Sequence, residues 1–298
     1  MINIAFCFDK NLWKNFCVSV SSLLINSNGK CHYNICCIIS DDITDTEKEY
    51  MKKVINKYDS ASQISFINAN HDWDATHLVK PGYYYRMQLV NFTSVDKIIY
   101  CDVDTYFNCD LSDLYNIDMG NKLLYGVKDA LNTNKNWNKY LSKTDNRYIV
   151  KQGNYINSGV LLMNLKLFRK ENLYDEFLKL RNIRLKQKDQ CMLNYVARGR
   201  VGFLPLKYNF KPKSVFHKYK IMVKANIFSR NELIEAEKFA PIWHFMASNP
   251  WKVLTKGAEK WWKICRQFDF YNEMRSSFMK QATPLQRLKF KIMEWNNF

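Results

Sequence analysis

Lys97-Ile98-Ile99-Tyr100-Cys101-Asp102-Val103-Asp104 is the stretch on which the fold assignment turns. Its aliphatic and aromatic first part reads as a strand buried on both faces, and the run stops abruptly at two carboxylates. Open α/β sheets bind ligands in the crevice beyond the carboxyl ends of their strands, and Asp102 and Asp104 fall there. Two hard oxygen donors one residue apart, with nothing basic between them, suit a divalent cation that also holds substrate phosphates.

Outward from this strand, the chain alternates strands with helices. Residues 2–8 read as a strand, 13–27 as a helix with Phe16, Val20, Leu23 and Leu24 on its apolar stripe, and 33–40 as a second strand. Asp41-Asp42-Ile43-Thr44 introduces a helix over 45–57 with an acid-rich first turn, and Gln63 to Ile67 is a third strand. That alternation predicts a single, mostly parallel sheet covered by helices on both faces. Residues 70–92 are irregular and aromatic at first, then helical through 84–89. The polar segment 128–152 reads as a long loop or lid. A buried strand is expected over 155–165, helices over 166–182 and 188–198, and a strand near 201–204.

Composition narrows the functional classes. Hydrophobic residues make up 47% of the 298-residue chain, enough for a large globular core without a disulfide staple. No apolar run approaches the roughly 20 residues that span a bilayer. Met1-Ile2-Asn3-Ile4-Ala5-Phe6-Cys7-Phe8 is a short strand with no basic lead and no cleavage site, so the chain is expected to stay inside the cell. Nine cysteines without a Cys-x-x-Cys pair read as reduced thiols packed as small hydrophobes. The formal net charge of +17 predicts attraction to a polyanion: nucleic acid, an acidic membrane surface, or a phosphorylated or acidic glycan.

Five separated segments then match one pattern: Asp9 with Asn11; Arg86 followed by Asp102-Val103-Asp104; Gly126-Val127-Lys128-Asp129; Tyr155-Ile156-Asn157-Ser158-Gly159-Val160; and Asp189-Gln190 with His244-Phe245 and Pro250-Trp251. Over about residues 1–252 the chain resembles glycosyltransferase family 8, the retaining sugar-nucleotide enzymes of the GT-A fold, and within it the bacterial lipooligosaccharide galactosyl- and glucosyltransferases. The resemblance implies an α/β GT-A domain over 1–252, followed by a basic aromatic helical tail over 253–298. It implies a UDP-sugar donor, UDP-galactose or UDP-glucose, and an oligosaccharide or lipid-linked glycan acceptor. Asp102, Asp104 and His244 would be the metal ligands. Two carboxylates with an imidazole favour manganese, with magnesium as the alternative.

Donor contacts implied by the resemblance include Cys7, Asp9 and Asn11, which lie at the first strand end where the family binds uracil. Arg86 corresponds to a donor-contacting arginine, and Val103 sits in the donor site between the aspartates. Asp129 and Asn157 match residues that hydrogen-bond the sugar hydroxyls, Ser158 occupies a small-residue position beside the sugar, and Gly159 serves backbone packing. Asp189 and Gln190 open a helix next to the sugar pocket. A carboxamide is a poor nucleophile, so the expected chemistry is a front-face substitution in which Gln190 stabilises positive charge near the anomeric carbon and Asp189 holds the sugar.

One departure stands out. The family shows His-Phe-x-Gly-x-x-Lys-Pro-Trp, whereas here His244-Phe245-Met246-Ala247-Ser248-Asn249-Pro250-Trp251-Lys252 is one residue shorter, lacks the glycine and carries Asn249 in place of the lysine. Weaker donor binding or a different donor follows, unless Lys252 reaches back to the diphosphate. In the tail, Trp261, Trp262, Phe268, Phe270, Tyr271, Phe278, Phe290 and Trp295 interleave with lysines and arginines. Rings suit a lipid interface, and each basic residue near an anionic leaflet contributes about 1 kcal/mol, so peripheral attachment to the inner membrane face is expected.

Two rival classes are disfavoured. A haloacid dehalogenase-type phosphatase needs threonine two places after the second aspartate, where Tyr106 stands, and a later Gly-Asp dipeptide that is missing. A nucleic-acid-binding protein is disfavoured by the spread of basic charge and the lack of a recognisable module, so no nucleic-acid partner is expected.

Overall fold

The computed structural model describes residues 1–73, 81–134, 150–183, 185–212 and 216–297. Among the described residues seven strands form one sheet: β1 (Ile2–Phe8), β2 (Tyr33–Ile39), β3 (Gln63–Asn68), β4 (Lys97–Cys101), β6 (Leu124–Lys128), β7 (Ile156–Asn164) and β8 (Val201–Phe203). Their order is β3-β2-β1-β4-β7-β6-β8. A separate two-stranded ribbon joins β5 (Thr105–Phe107) to β9 (Ile242–His244). Pairing is parallel for β1–β2, β2–β3, β1–β4 and β6–β8, and antiparallel where β7 meets β4 and β6. The expected mostly parallel sheet is thus present, with β7 running against its neighbours.

Local chemistry accounts for the first helices. Helix α1 (Trp13–Ser27) buries Phe16, Val20, Leu23 and Leu24 against the sheet. Helix α2 (Asp45–Tyr58) opens with a reciprocal capping box: the Thr44 hydroxyl accepts from the Glu47 amide, and the Glu47 carboxylate accepts from the Thr44 amide. The helix expected over 166–182 is two, Leu165–Lys170 and Leu173–Leu180, because Asn172 between them adopts a left-handed φ of 51°. Of the expected lid over 128–152, residues 135–149 lie outside the described residues; its flanks are the end of β6 and a tight turn at Ala130–Thr133. Residues 74–80 of the irregular aromatic region likewise lie outside them, and short turns carry the chain from Pro81 to the helix Leu89–Phe92.

Apolar side chains fill both faces of the sheet. Leu161, Met163, Phe168 and Phe177 belong to one cluster; Phe6, Phe16, Ile35 and Phe107 belong to the other. The second cluster also takes in Trp261, Trp262, Phe268, Phe270, Phe278 and Phe290 from the C-terminal segment. Trp262 lies edge-on to Phe290 at 4.7 Å and to Phe278 at 5.7 Å, and Phe270 packs on Trp13 of α1 at 5.7 Å. Those six rings are therefore core residues and not lipid-facing ones; Trp295 alone among the tail rings named above is exposed, at 88%. Among the described residues no helix is long and apolar enough to cross a membrane. All nine cysteines are free thiols.

Candidate active site

The order β3-β2-β1-β4 reverses direction at β1, which has β2 on one side and β4 on the other. The crevice beyond the carboxyl ends of β1 and β4 is the topological switch point where such sheets take ligands. Asp9 follows β1 and Asp102 follows β4, so two motifs 93 residues apart in the chain meet there. A cleft of about 780 Å³ opens at this place, and its lining includes Cys7, Asp9, Asn11, Arg86 and Asp102-Val103-Asp104, together with Asn157, Ser158, Asp189, Gln190, His244 and Lys252.

Backbone pairing explains how distant residues converge. Because β7 is antiparallel to β4, its first residues lie beside the last residues of β4: Cys101 pairs with Val160, and the Asp102 amide donates to the Gly159 carbonyl at 2.8 Å. Asn157 and Ser158 are thereby set next to the aspartates. The ribbon does the same for histidine. Thr105 pairs with His244, and the Phe245 amide donates to the Asp104 carbonyl at 2.9 Å. Val103 is buried, which anchors the loop between the two carboxylates.

His244 Nε2 lies 3.1 Å from Asp104 Oδ1 and 3.6 Å from Asp102 Oδ2. One ligand atom from each of the three side chains lies within 4.8 Å of the others. Burial alone would depress the imidazole pKa, yet the neighbouring Asp104 and Asp102 carboxylates outweigh it and raise it. Burial also opposes ionisation of Asp104, but His244 holds that carboxyl below its usual range. The buried Nε2 atom has no well-aligned hydrogen bond although Asp104 Oδ1 lies 3.1 Å away, and it faces both carboxylates as a metal ligand would. Two carboxylates and one imidazole fit a divalent cation. Gly159 leaves the room: a Cβ there would stand 2.1 Å from His244 Cε1 and 2.8 Å from Asp102 Oδ2.

Around this cluster a second set of contacts is drawn tight. Tyr100 Oη donates to Asp102 Oδ1 at 2.6 Å, and the Arg86 guanidinium sits over the Tyr100 ring at 4.5 Å. Arg86 reaches Asp102 Oδ1 at 3.0 Å and Asp189 Oδ2 at 3.4 Å, and donates to the Ser158 carbonyl at 2.7 Å. Burial pushes the Asp189 carboxyl up in spite of that arginine. Gln190 Oε1 accepts from the Ser158 amide at 3.1 Å and from Asn157 Nδ2 at 3.2 Å. Asp9 Oδ1 caps its own loop by accepting from the Asn11 amide at 2.9 Å. Asp129 stands apart from the main cleft: it lines an adjoining cavity of about 80 Å³ whose wall Asn157, His244 and Met246 share, and its Oδ2 accepts from Asn157 Nδ2 at 3.0 Å.

Residues 3–254 match the family described as Glycosyl transferase family 8. The chain belongs to that family. A Haemophilus influenzae protein described as a glycosyltransferase is 28% identical over 223 residues, 71% of this chain and 64% of the relative. Two solved structures share the GT-A fold. The bifunctional WbbM glycosyltransferase superposes with a TM-score of 0.78 at 19% identity, over 93% of this chain and 52% of that one. The galactosyltransferase LgtC, solved with donor and acceptor sugar analogues, gives 0.70 at 21% identity over 90% and 96%. The chain thus spans 64% and 52%, respectively, of the lengths of the Haemophilus relative and of WbbM.

The family 8 departure after His244 has a visible backbone counterpart. Ala247 holds a φ of 57°, the left-handed region that glycine occupies without cost, so the turn survives although the glycine is lost. Asn249 Nδ2 approaches Asp104 Oδ2 at 3.5 Å. Lys252 is exposed at the cleft, which Lys186 and Lys188 also line. Two residues that no motif marks complete the site. Tyr100 hides inside the hydrophobic run of β4. Asn209, in the short turn Leu206–Asn209, meets His244 because the His244 amide donates to the Phe210 carbonyl at 2.9 Å. Nothing in a linear reading of Tyr208-Asn209-Phe210 signals that register.

Proposed function

We propose that this chain transfers a hexose, galactose or glucose, from a UDP-sugar with retention of configuration to a bacterial surface glycan such as lipooligosaccharide, lipopolysaccharide or capsule. One observation carries the reading: in a family 8 chain, Asp102, Asp104 and His244 converge to within 4.8 Å on the cleft at the sheet's switch point. Asp102, Asp104 and His244 would hold manganese, or magnesium in its place, and the bound cation would supply positive charge to offset the negative charge that the diphosphate gains on leaving.

The chain's own residues do the rest. Arg86 fixes the orientation of Asp102 and Asp189 by pairing with both. Cys7, Asp9 and Asn11 form the end of the cleft that takes the uracil. Asn157 and Asp129 present donors and acceptors to the sugar hydroxyls, so that an epimer leaves a buried group unpaired. Gln190 cannot serve as a covalent nucleophile, which favours front-face substitution. The acceptor hydroxyl bonds to the anomeric carbon on the face from which the diphosphate departs, and a departing oxygen takes its proton. Gln190 stabilises the positive charge that develops, and Asp189 holds the sugar. Lys252 stands in for the missing lysine, a role supported by its exposure on the lining of the cleft.

A screen of UDP-sugars that follows UDP release with and without manganese tests the reading. Slow, manganese-dependent hydrolysis of one UDP-hexose is expected; release and binding absent for every UDP-hexose with either metal reject it. Full turnover by Gln190→Ala at saturating donor excludes the role given to Gln190, and unchanged donor affinity in Lys252→Ala excludes the substitution by Lys252.

The cytoplasmic membrane face enters through the helix Pro284–Asn297. Leu285, Leu288, Ile292 and Trp295 are exposed at a spacing that places them on one face, with Arg287, Lys289 and Lys291 among them. Binding to anionic vesicles at low salt, lost in Trp295→Ala and on deletion of 284–298, is expected; no vesicle binding by the intact chain rejects this contact.

A further inference from the structure

The protonation pattern around His244 can be followed from a backbone amide whose role is beyond choice. The Gly159 N–H donates to Asn157 Oδ1 at 3.0 Å, so that atom is an acceptor and the Asn157 amide group faces the other way. The far side agrees: Asn157 Nδ2 meets the Asp129 carboxylate at 3.0 Å, and a carboxylate accepts. Asn209 therefore turns its NH₂ group to Asn157 Oδ1, at 2.9 Å, and its carbonyl oxygen to His244 Nδ1, at 2.8 Å. A carbonyl oxygen accepts only, so His244 carries its proton on Nδ1. In the neutral ring Nε2 is then bare, and Nε2 is the atom that faces Asp102 and Asp104. The opposite tautomer would set two acceptors 2.8 Å apart in a site where both residues are buried.

We propose that Asn209 is a positioning residue that locks His244 in the Nδ1–H tautomer and so presents a ready Nε2 lone pair to the cation. The same amide joins the metal cluster to the sugar cradle, because its NH₂ group holds Asn157, which in turn holds Asp129 and Gln190. This rests on the metal reading above, and outer partners of ligating histidines commonly set tautomer and affinity in this way.

The decisive measurement is the ¹⁵N spectrum of histidine-labelled protein with UDP and just enough diamagnetic magnesium to saturate the wild type, so that a cation separates Nε2 from the Asp104 carboxylate 3.1 Å away, with the His244 signals identified by their loss in His244→Gln. The wild type should show Nδ1 protonated and Nε2 without a proton, and Asn209→Ala should show mixed tautomers. Manganese affinity, read from the free-ion electron paramagnetic resonance signal with UDP present, should fall about 10–100-fold in Asn209→Ala. Asn209→Asp keeps an acceptor for Nδ1–H but loses the donor to Asn157. It should keep manganese affinity within a few-fold of wild type while the donor KM and the discrimination between sugar epimers worsen. That split is not expected of a residue that only supports the fold. An Nε2–H ring in the wild type, or Asn209→Ala with unaltered tautomer and manganese affinity, overturns the proposal. A wild type with the expected tautomer that binds no manganese overturns the metal reading instead and leaves the hydrogen-bond relay supported.

Discussion

Gly159→Ala offers the most direct test of the site geometry. The added Cβ would lie 2.1 Å from His244 Cε1 and 2.8 Å from both His244 Nδ1 and Asp102 Oδ2, where ordinary contact begins at 3.4 Å. The ring or the strand must therefore shift by at least about 1.3 Å. His244 has little freedom to yield, since its backbone is paired to Thr105 and its Nδ1 to Asn209. Overpacking of this kind costs about 1–3 kcal/mol, which lowers the thermal midpoint by several degrees. The effect on the ion is larger, because ligand distances tolerate roughly 0.2 Å of error. Manganese affinity should fall by more than the ~10–100-fold that loss of an outer partner brings. Gly202→Ala is the matched control: its Cβ would stand 2.3 Å from the Tyr125 ring, away from the cleft residues, so it should lose stability while keeping manganese. Thermal unfolding and manganese titration on the two variants check this. A Gly159→Ala protein with wild-type manganese affinity would refute the convergence of Asp102 and His244 on one ion.

Arg86→Met should destabilise by about 3–5 kcal/mol in denaturant unfolding, because it strands Asp102 and Asp189 without their shared cation; a loss under 1 kcal/mol contradicts the pairing. Ala247→Gly should raise stability by roughly 1 kcal/mol or less, since glycine removes the cost of a left-handed residue at φ 57° but gains chain entropy when unfolded; a lower midpoint contradicts this. Trp262→Ala should cost about 3–5 kcal/mol because the ring is fully buried among Tyr271, Phe278 and Phe290. Trp295→Ala should stay within about 0.5 kcal/mol of wild type. Equal losses for the two tryptophans would mean the C-terminal helices are packed otherwise.

How far the chain was legible depends on the range of the forces that shape each part. The strand at 2–8, the helix at 13–27 and the helix that starts at 45 are readable because periodicity and an acid-rich first turn after Thr44 act within a few residues. Ser229-Arg230-Asn231-Glu232 likewise carries a local mark, the capping box that opens the helix Arg230–Lys238. Three-residue strands such as β5 and β9 show no period, and only their pairing with each other defines them. The tail rings stay undecided in a linear reading for a related reason: aromatic residues among basic ones look alike whether they face lipid or a helix of the same chain, and contact with Trp13 and the core places six of them inside.

By its order of residues alone, the chain determined the α/β alternation, the Asp102–Asp104 pair at a strand end and the family to which both belong, because these are local patterns. Tertiary structure alone decided how His244, 140 places from Asp104 and marked in the sequence only through the family resemblance, comes to lie 3.1 Å from it, that Arg86 binds two carboxylates at once, and that Asn209 sets the histidine proton. Such contacts follow from strand register and sheet order, which depend on the burial of whole faces and leave no mark on neighbouring residues.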